Sequence, residues 1–349
     1  MKIIIAGNMG YIGPSVVRQL RQSYPRAHLI GIDTGFFAHC LTNVKLLPEL
    51  NLNEQIFADI RKIPDSIFKN TDAVIYLAAI SNDIMGCLDE KLTLDINCHA
   101  AVKIARQAKK AGAQAFVFAS SCSVYGFAEE SAKTESSTVN PLTAYARSKI
   151  TAEQKLKPLA DRKFKVTCFR FATACGMSER LRLDLVLNDF VAGAVTSKKI
   201  LILSDGTPWR PLIHIKDMAR AMTWGIARKA SQGGAYLVVN AGSEGWNYQV
   251  KDLAQAVAHE IPGVEVALNV NAAPDKRSYQ VNFDLFKRLA PDHQPRVSLQ
   301  DAVRELRAGF EEMKFKDEHY RESQYMRIKT LTGLKDLGLL DSQLRWSGK

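Results

Sequence analysis

Tyr145 and Lys149 stand four residues apart in Tyr145-Ala146-Arg147-Ser148-Lys149. On a helix, that spacing puts both side chains on one face. An ammonium beside a phenol favours the phenolate, so the pair can turn tyrosine, whose ordinary pKa is about 10, into a base near neutrality. Tyr-x-x-x-Lys is also common by chance, and the bland alternative is a solvated surface pair. Hydroxyls stand upstream in Ser120-Ser121-Cys122-Ser123-Val124-Tyr125-Gly126, directly after the apolar run Ala115–Ala119. The carboxyl ends of parallel strands are where α/β proteins gather ligands. Cys122 lies among these hydroxyls, but no histidine base is near it in sequence, so a thiol nucleophile is not expected.

A second constellation opens the chain. Gly7-Asn8-Met9-Gly10-Tyr11-Ile12-Gly13 sits between the Ile-rich run Lys2–Ala6 and a helical pattern over Pro14–Ser23. Glycines there allow a tight turn, close approach of backbone to a pyrophosphate, and tight helix–strand packing. The helix amino terminus adds unpaired N–H groups for the anion. The expected dinucleotide contacts are Gly7, Gly10, Tyr11, Ile12 and Gly13. Asp33 ends the next strand-like run, where a carboxylate can hold a ribose 2′-hydroxyl and repel a 2′-phosphate. Thr34-Gly35-Phe36-Phe37 brings no basic residue to welcome such a phosphate, so NAD is expected over NADP.

The elements that must position these groups follow from patterning. Apolar runs at Lys2–Ala6, Leu29–Ile32, Ala73–Ala79, Ala115–Ala119 and Lys165–Phe169 alternate with amphipathic stretches at Pro14–Ser23, Thr93–Ala111 and Tyr145–Leu159. That alternation means βαβ units and a doubly wound parallel sheet. Beyond Gly176 the rhythm changes, with helices expected at Leu183–Val195, Asp217–Lys229 and Gln249–Ile261, and strands at Ile200–Leu203, Tyr236–Asn240 and Val264–Val270. The fold class is therefore α/β, Rossmann-type, with a smaller, interwoven α+β substrate domain. Residues 1–175 would form the dinucleotide-binding domain, with segments near 205–242 returning to it. Residues 176–204 and 243–349 would supply mainly the substrate domain and a charged helical tail from His319.

Composition agrees with a globular chain of 349 residues, 46% hydrophobic and 24% charged, long enough for two domains. No apolar run approaches a bilayer span and the amino terminus lacks a signal pattern, so a cytoplasmic location and no membrane partner are expected. Six cysteines form no Cys-x-x-Cys pair, which suits reduced thiols; no metal site is expected. The net charge of +11 favours polyanions. Its excess is spread along the chain without a basic run, so no nucleic-acid partner is expected.

Together these motifs resemble the extended short-chain dehydrogenase/reductase superfamily, in its NAD-dependent nucleotide-sugar epimerase/dehydratase branch. The resemblance implies Tyr145 as catalytic base, Lys149 lowering its pKa and holding the nicotinamide ribose, and Ser121 binding the reacting hydroxyl. It matches Asp59-Ile60 to an adenine-contacting pair, Leu77-Ala78-Ala79 to the loop beneath the cofactor, and Asn97 to a buried helix asparagine. Thr173, in Phe169-Arg170-Phe171-Ala172-Thr173, stands where many members have Asn. Asn188 is the implied contact near the nucleotide diphosphate, with Arg210 and Arg277 as its bidentate cations. Ser81 and Asn82, with Asp83 and Met85, would face the sugar, as would Ser123. Asp217 reads as a helix cap and His214 as structural. The resemblance also implies a homodimer through the helices carrying Asn97 and Tyr145, with alanines 100, 101, 105, 108 and 111 allowing close approach; ordinary helix–sheet packing is the alternative for those alanines.

Dehydratases of this kind carry carboxyl groups where Cys122 and Ser123 stand here, so elimination is disfavoured. The expected activity is a nucleotide-sugar 4-epimerase, with a one-way C4 dehydrogenase or ketoreductase, or a 4,6-dehydratase, as alternatives. A non-catalytic NAD-binding regulator or nucleic-acid binder is the alternative of another class, and it would have no need of Ser121, Tyr145 and Lys149.

Overall fold

The computed structural model describes residues 1–81, 89–128, 131–269 and 277–347. β1 (Lys2–Ala6), β2 (His28–Asp33), β3 (Glu54–Phe57), β4 (Ala73–Tyr76), β5 (Ala115–Ser121), β6 (Lys165–Phe171) and β10 (Tyr236–Ala241) form one sheet, ordered β10-β6-β5-β4-β1-β2-β3. Every neighbouring pair is parallel. The inner strands are buried on both faces, which explains their unbroken Ile, Val and Phe content. β3 lies on the edge and is only half-buried, so its Glu54-Gln55-Ile56-Phe57 carried no comparable signal. Strand order reverses between β1 and β4, and the crevice of a doubly wound sheet opens at such a point.

The second half contributes β7 (Thr173–Cys175), β8 (Lys199–Ile202), β9 (Trp209–His214), β11 (Asn247–Gln249) and β12 (Glu265–Leu268). β9 sits between β11 and β7 in a three-stranded sheet, and β8 pairs with β12. Of the returning segments, β10 joins the large sheet beside β6 while β9 does not. The helix expected at Leu183–Val195 begins at Val186, because Leu185 is still extended. The stretch Thr93–Ala111 is helical but passes through a π-helical turn at Asp95–His99 that carries Asn97. Ala100, Ala101, Ala105 and Ala108 are buried against the sheet of their own chain, so helix–sheet packing accounts for them.

The tail departs from expectation. Among its described residues only Arg327–Asp336 forms an α-helix, after a short turn at Tyr320–Glu322. Its apolar residues fold back on the first half of the chain, where Leu331, Leu340 and Leu344 cluster with Ile80, Leu92 and Ile96.

Candidate active site

The glycine turn leaves β1 at the switch point. Gly7 has φ +85°, and a Cβ there would lie 2.4 Å from the Ala78 backbone nitrogen. Gly10 differs, since a Cβ on it would meet only the Gly7 carbonyl, at 3.3 Å; its bare face borders the cleft. Helix Gly13–Ser23 follows, with Pro14 in its first turn, no side-chain cap and no acidic residue there. Its first N–H groups therefore suit a phosphate.

Gly7, Gly10, Tyr11, Ile12, Gly13, Asp33, Asp59, Ile60, Leu77, Ala78, Ala79 and Ser81 all line one cleft. Asp33 accepts from the Met9 N–H at 3.0 Å and the Gly35 N–H at 2.8 Å. Burial pushes its carboxyl pKa up while those two donors pull it back. A carboxylate has more lone pairs than these two bonds use, so acceptor capacity remains for ribose hydroxyls. Asp59 is paired with Arg61, also on the cleft wall, with Nη2 at 2.7 Å. The room left by Gly10, the uncapped helix and the Asp33 carboxylate together fit a dinucleotide.

At the carboxyl end of β5, Ser121 accepts from the Ser123 N–H at 3.1 Å, which closes the turn Cys122–Tyr125. The Ser123 hydroxyl is buried and has no protein partner. Cys122 is buried against the Arg170 carbonyl, and burial drives its thiol pKa far up, as suits an inert residue. Helix Ala144–Leu156, capped by Thr143, carries Tyr145 and Lys149 on one face. The Lys149 ammonium donates to the Ala119 carbonyl at 2.7 Å and lies 5.4 Å from the Tyr145 ring centroid. Burial lowers its pKa to about 7, against an opposite pull from Glu153. Glu153, one turn further on, pairs with Arg170 at 2.8 Å and accepts from the Ser120 hydroxyl. Arg170 also donates to the Tyr125 hydroxyl at 3.1 Å. This buried network behind Lys149 had a signal in the i, i+4, i+8 spacing of Tyr145, Lys149 and Glu153.

Asn97 and Asn188 both hydrogen-bond within the protein. Asn97 exchanges hydrogen bonds with the Ile80 backbone at 2.8 and 3.0 Å and donates to Ser148 at 3.0 Å, tying the loop after β4 to the helix of Tyr145. Asn188 accepts from the Gly176 N–H and donates to the Tyr11 hydroxyl and the Arg182 carbonyl, so both its amide hydrogens are spent inside the protein. The cap of helix Ile215–Ala227 is also reassigned. His214 accepts the Lys216 N–H at 3.2 Å, whereas Asp217 accepts from Arg296 and Val297 and pins a distant loop.

Arg210 and Arg277 come together, the Arg210 guanidinium donating to the Arg277 carbonyl. Thr173 begins β7, half-buried beside β9. Asn82, Asp83 and Met85 fall outside the described residues. Sequence reasoning did not place Arg182 or the tail residues Arg327, Leu331 and Leu344 in the cleft wall. Among the described residues no His, Cys, Asp and Glu group could hold a metal, and no helix is long and apolar enough to cross a membrane.

A parallel sheet with a glycine turn and a buried carboxylate at its switch point, with Ser121 ending β5 and Lys149 anchored on Ala119 of the same strand, is the frame of a dinucleotide-binding α/β protein. Residues 3–242 match the NAD dependent epimerase/dehydratase family, and the chain belongs to that family and uses NAD. It is 25% identical over 292 residues to UDP-glucose 4-epimerase of Bacillus subtilis, covering 76% of this chain and 84% of that one. It is 24% identical to dTDP-D-glucose 4,6-dehydratase of Mus musculus, covering 63% of each. Among solved structures, UDP-glucuronic acid 4-epimerase from Bacillus cereus in complex with NAD superposes with a TM-score of 0.76 at 21% identity, covering 91% of this chain and 99% of that one.

Proposed function

We propose that the chain is an NAD-dependent nucleotide-sugar 4-epimerase. Its substrate is a nucleoside-diphosphate hexose, with the sugar at Ser121 and Tyr145 and the diphosphate toward Arg210 and Arg277. NAD, when bound, supplies a reversible acceptor for the C4 hydride. Tyr145, as phenolate, accepts the C4 hydroxyl proton, and Ser121 orients that hydroxyl. The Lys149 ammonium stabilises the phenolate and, anchored on Ala119, has one fixed direction of approach. Return of the hydride to the opposite face of the C4 carbonyl, with the proton going back from Tyr145 to its oxygen, would give the C4 epimer with no net redox change.

The observation that carries this reading is the pairing of an intact Ser121–Tyr145–Lys149 set with a buried thiol and a hydroxyl at Cys122 and Ser123. Elimination of water needs an acid–base group at the neighbouring carbons, and neither residue can serve. The epimerases among the relatives support the same choice. NMR of products from a panel of UDP- and dTDP-hexoses should show a pair of C4 epimers at constant NADH. Accumulating NADH with a keto product, or a 4-keto-6-deoxy product, would overturn it. Tyr145→Phe should retain NAD and lose turnover by about 10²- to 10⁴-fold.

A further inference from the structure

Arg327 opens the terminal helix Arg327–Asp336, far in sequence from every dinucleotide motif. Its side chain is 1% exposed and lines the same cleft as the glycine turn and Asp33. Its guanidinium lies 4.3 Å over the Phe37 ring, and Nη2 donates to the Arg180 carbonyl at 2.7 Å. Nη1 is buried with no protein partner. The other cations of the cleft wall are answered: Arg182 by Asp184 at 2.8 Å and Arg61 by Asp59 at 2.7 Å. Arg327 has no carboxylate partner among the described ion pairs. Asp184 acts on it only from a distance, and a buried guanidinium without a direct anionic partner is costly.

We infer that Arg327 is a cofactor-binding residue, its free N–H edge meeting the pyrophosphate of the bound dinucleotide. Location favours pyrophosphate over any other phosphate of the cofactor. The segment beneath Arg327 packs on the glycine turn, with Ser178 donating to the Tyr11 carbonyl at 2.7 Å and Tyr11 to the Gly176 carbonyl at 2.6 Å. A 2′-phosphate would instead stand against the Asp33 carboxylate. The same surroundings explain a lowered pKa for Arg327, by burial and then by the charge of Arg182. An arriving diphosphate relieves both. The inference rests on the NAD assignment and not on the sugar chemistry, so it can fail while the epimerase reading stands, and the reverse.

The test is binding, without turnover. Protein stripped of nucleotide, as wild type, Arg327→Met and Arg327→Lys, is titrated calorimetrically with NAD⁺, ADP-ribose, NADP⁺ and adenosine. Arg327→Met should weaken NAD⁺ and ADP-ribose by about 10- to 100-fold, the range for a charge-assisted hydrogen bond. Adenosine should change less than threefold, and Arg327→Lys should fall between wild type and Arg327→Met. Equal losses for adenosine and ADP-ribose would assign Arg327 to packing alone and overturn the inference. Unchanged NAD⁺ affinity would overturn it too, as would a loss confined to NADP⁺. If Arg327→Met does not fold, Arg327→Lys, which keeps the stem over Phe37, carries the same comparison.

Discussion

Lys149 concentrates the electrostatic argument in one atom. It is 2% exposed, and burial holds its pKa at about 7, compared with about 10.4 for an unfolded lysine. Below about pH 7 the folded state carries a buried ammonium, a penalty to stability. Between the two values the folded state binds fewer protons than the unfolded one, so stability rises with pH, by at most about 1.4 kcal/mol per unit. Wild type should therefore gain on Lys149→Met as NAD-free protein is melted at pH values from 6.5 to 9.5. A constant difference in melting temperature would show that Lys149 is not desolvated. The placement of Tyr145 and Lys149 on one helix and of Ser121 and Asp33 at strand ends was legible, because local spacing and apolar runs announce it. Glu153 and Arg170 were harder, since a buried ion pair between a helix and β6 is a tertiary fact. Asn188 shows what spacing leaves out: its partners, Gly176, Tyr11 and Arg182, come from tertiary packing.

The elements were legible where burial was two-sided or a helix had one apolar face, and obscure where neither held. β3 is an edge strand of mixed polarity, and the tail's helix has little amphipathic bias beyond Thr330 and Leu331. Caps depend on which side chain reaches back, which spacing alone does not decide. His214 illustrates the consequence. Only a neutral imidazole can accept the Lys216 N–H through Nδ1, and burial followed by the Lys216 charge lowers the His214 pKa to about 3. Glu305 lies 3.7 Å from Nε2 but is engaged by the Lys216 ammonium. The folded state thus binds fewer protons than the unfolded one between about pH 6.5 and 3, and stability falls as pH drops through that window. His214→Asn keeps a capping side chain and removes the titration, so its denaturation midpoint should fall less steeply below pH 6 than that of wild type. His214→Ala should lose about 1 kcal/mol or more at pH 7 from the cap alone. Parallel acid slopes in wild type and His214→Asn would refute the assignment.

At the scale of the whole molecule, the chain brings its far end back to its beginning. The net charge of +11 pointed to polyanions without saying where. Local reading found no cation after Asp33, yet Arg327 arrives over Phe37 from the last helix, a proximity no sequence window contains. Residues 340–346 pack nearby. Leu340 and Leu344 bury against Ile80, Leu92 and Ile96, Trp346 donates to the Thr34 carbonyl at 2.6 Å, and Arg61 donates to the Gln343 carbonyl at 2.8 Å. Leu344 also lines the cleft, so this strap borders the dinucleotide site as well as the protein core. Its cluster is separate from the two large cores, and its loss should cost global stability little. Removing residues 340–349 leaves the terminal helix and Arg327 in the chain. NAD should then dissociate about tenfold faster, because two leucines that together bury apolar surface worth about 3 kcal/mol or more no longer hold the wall closed. Stopped-flow displacement of NADH, followed by its fluorescence, measures the rate directly, and the melting point of nucleotide-free protein should move by only a few degrees, because the freed strap regains chain entropy that offsets most of the lost burial. An unchanged dissociation rate would make the strap a surface ornament, and a collapse of the nucleotide-free protein would make it part of the core.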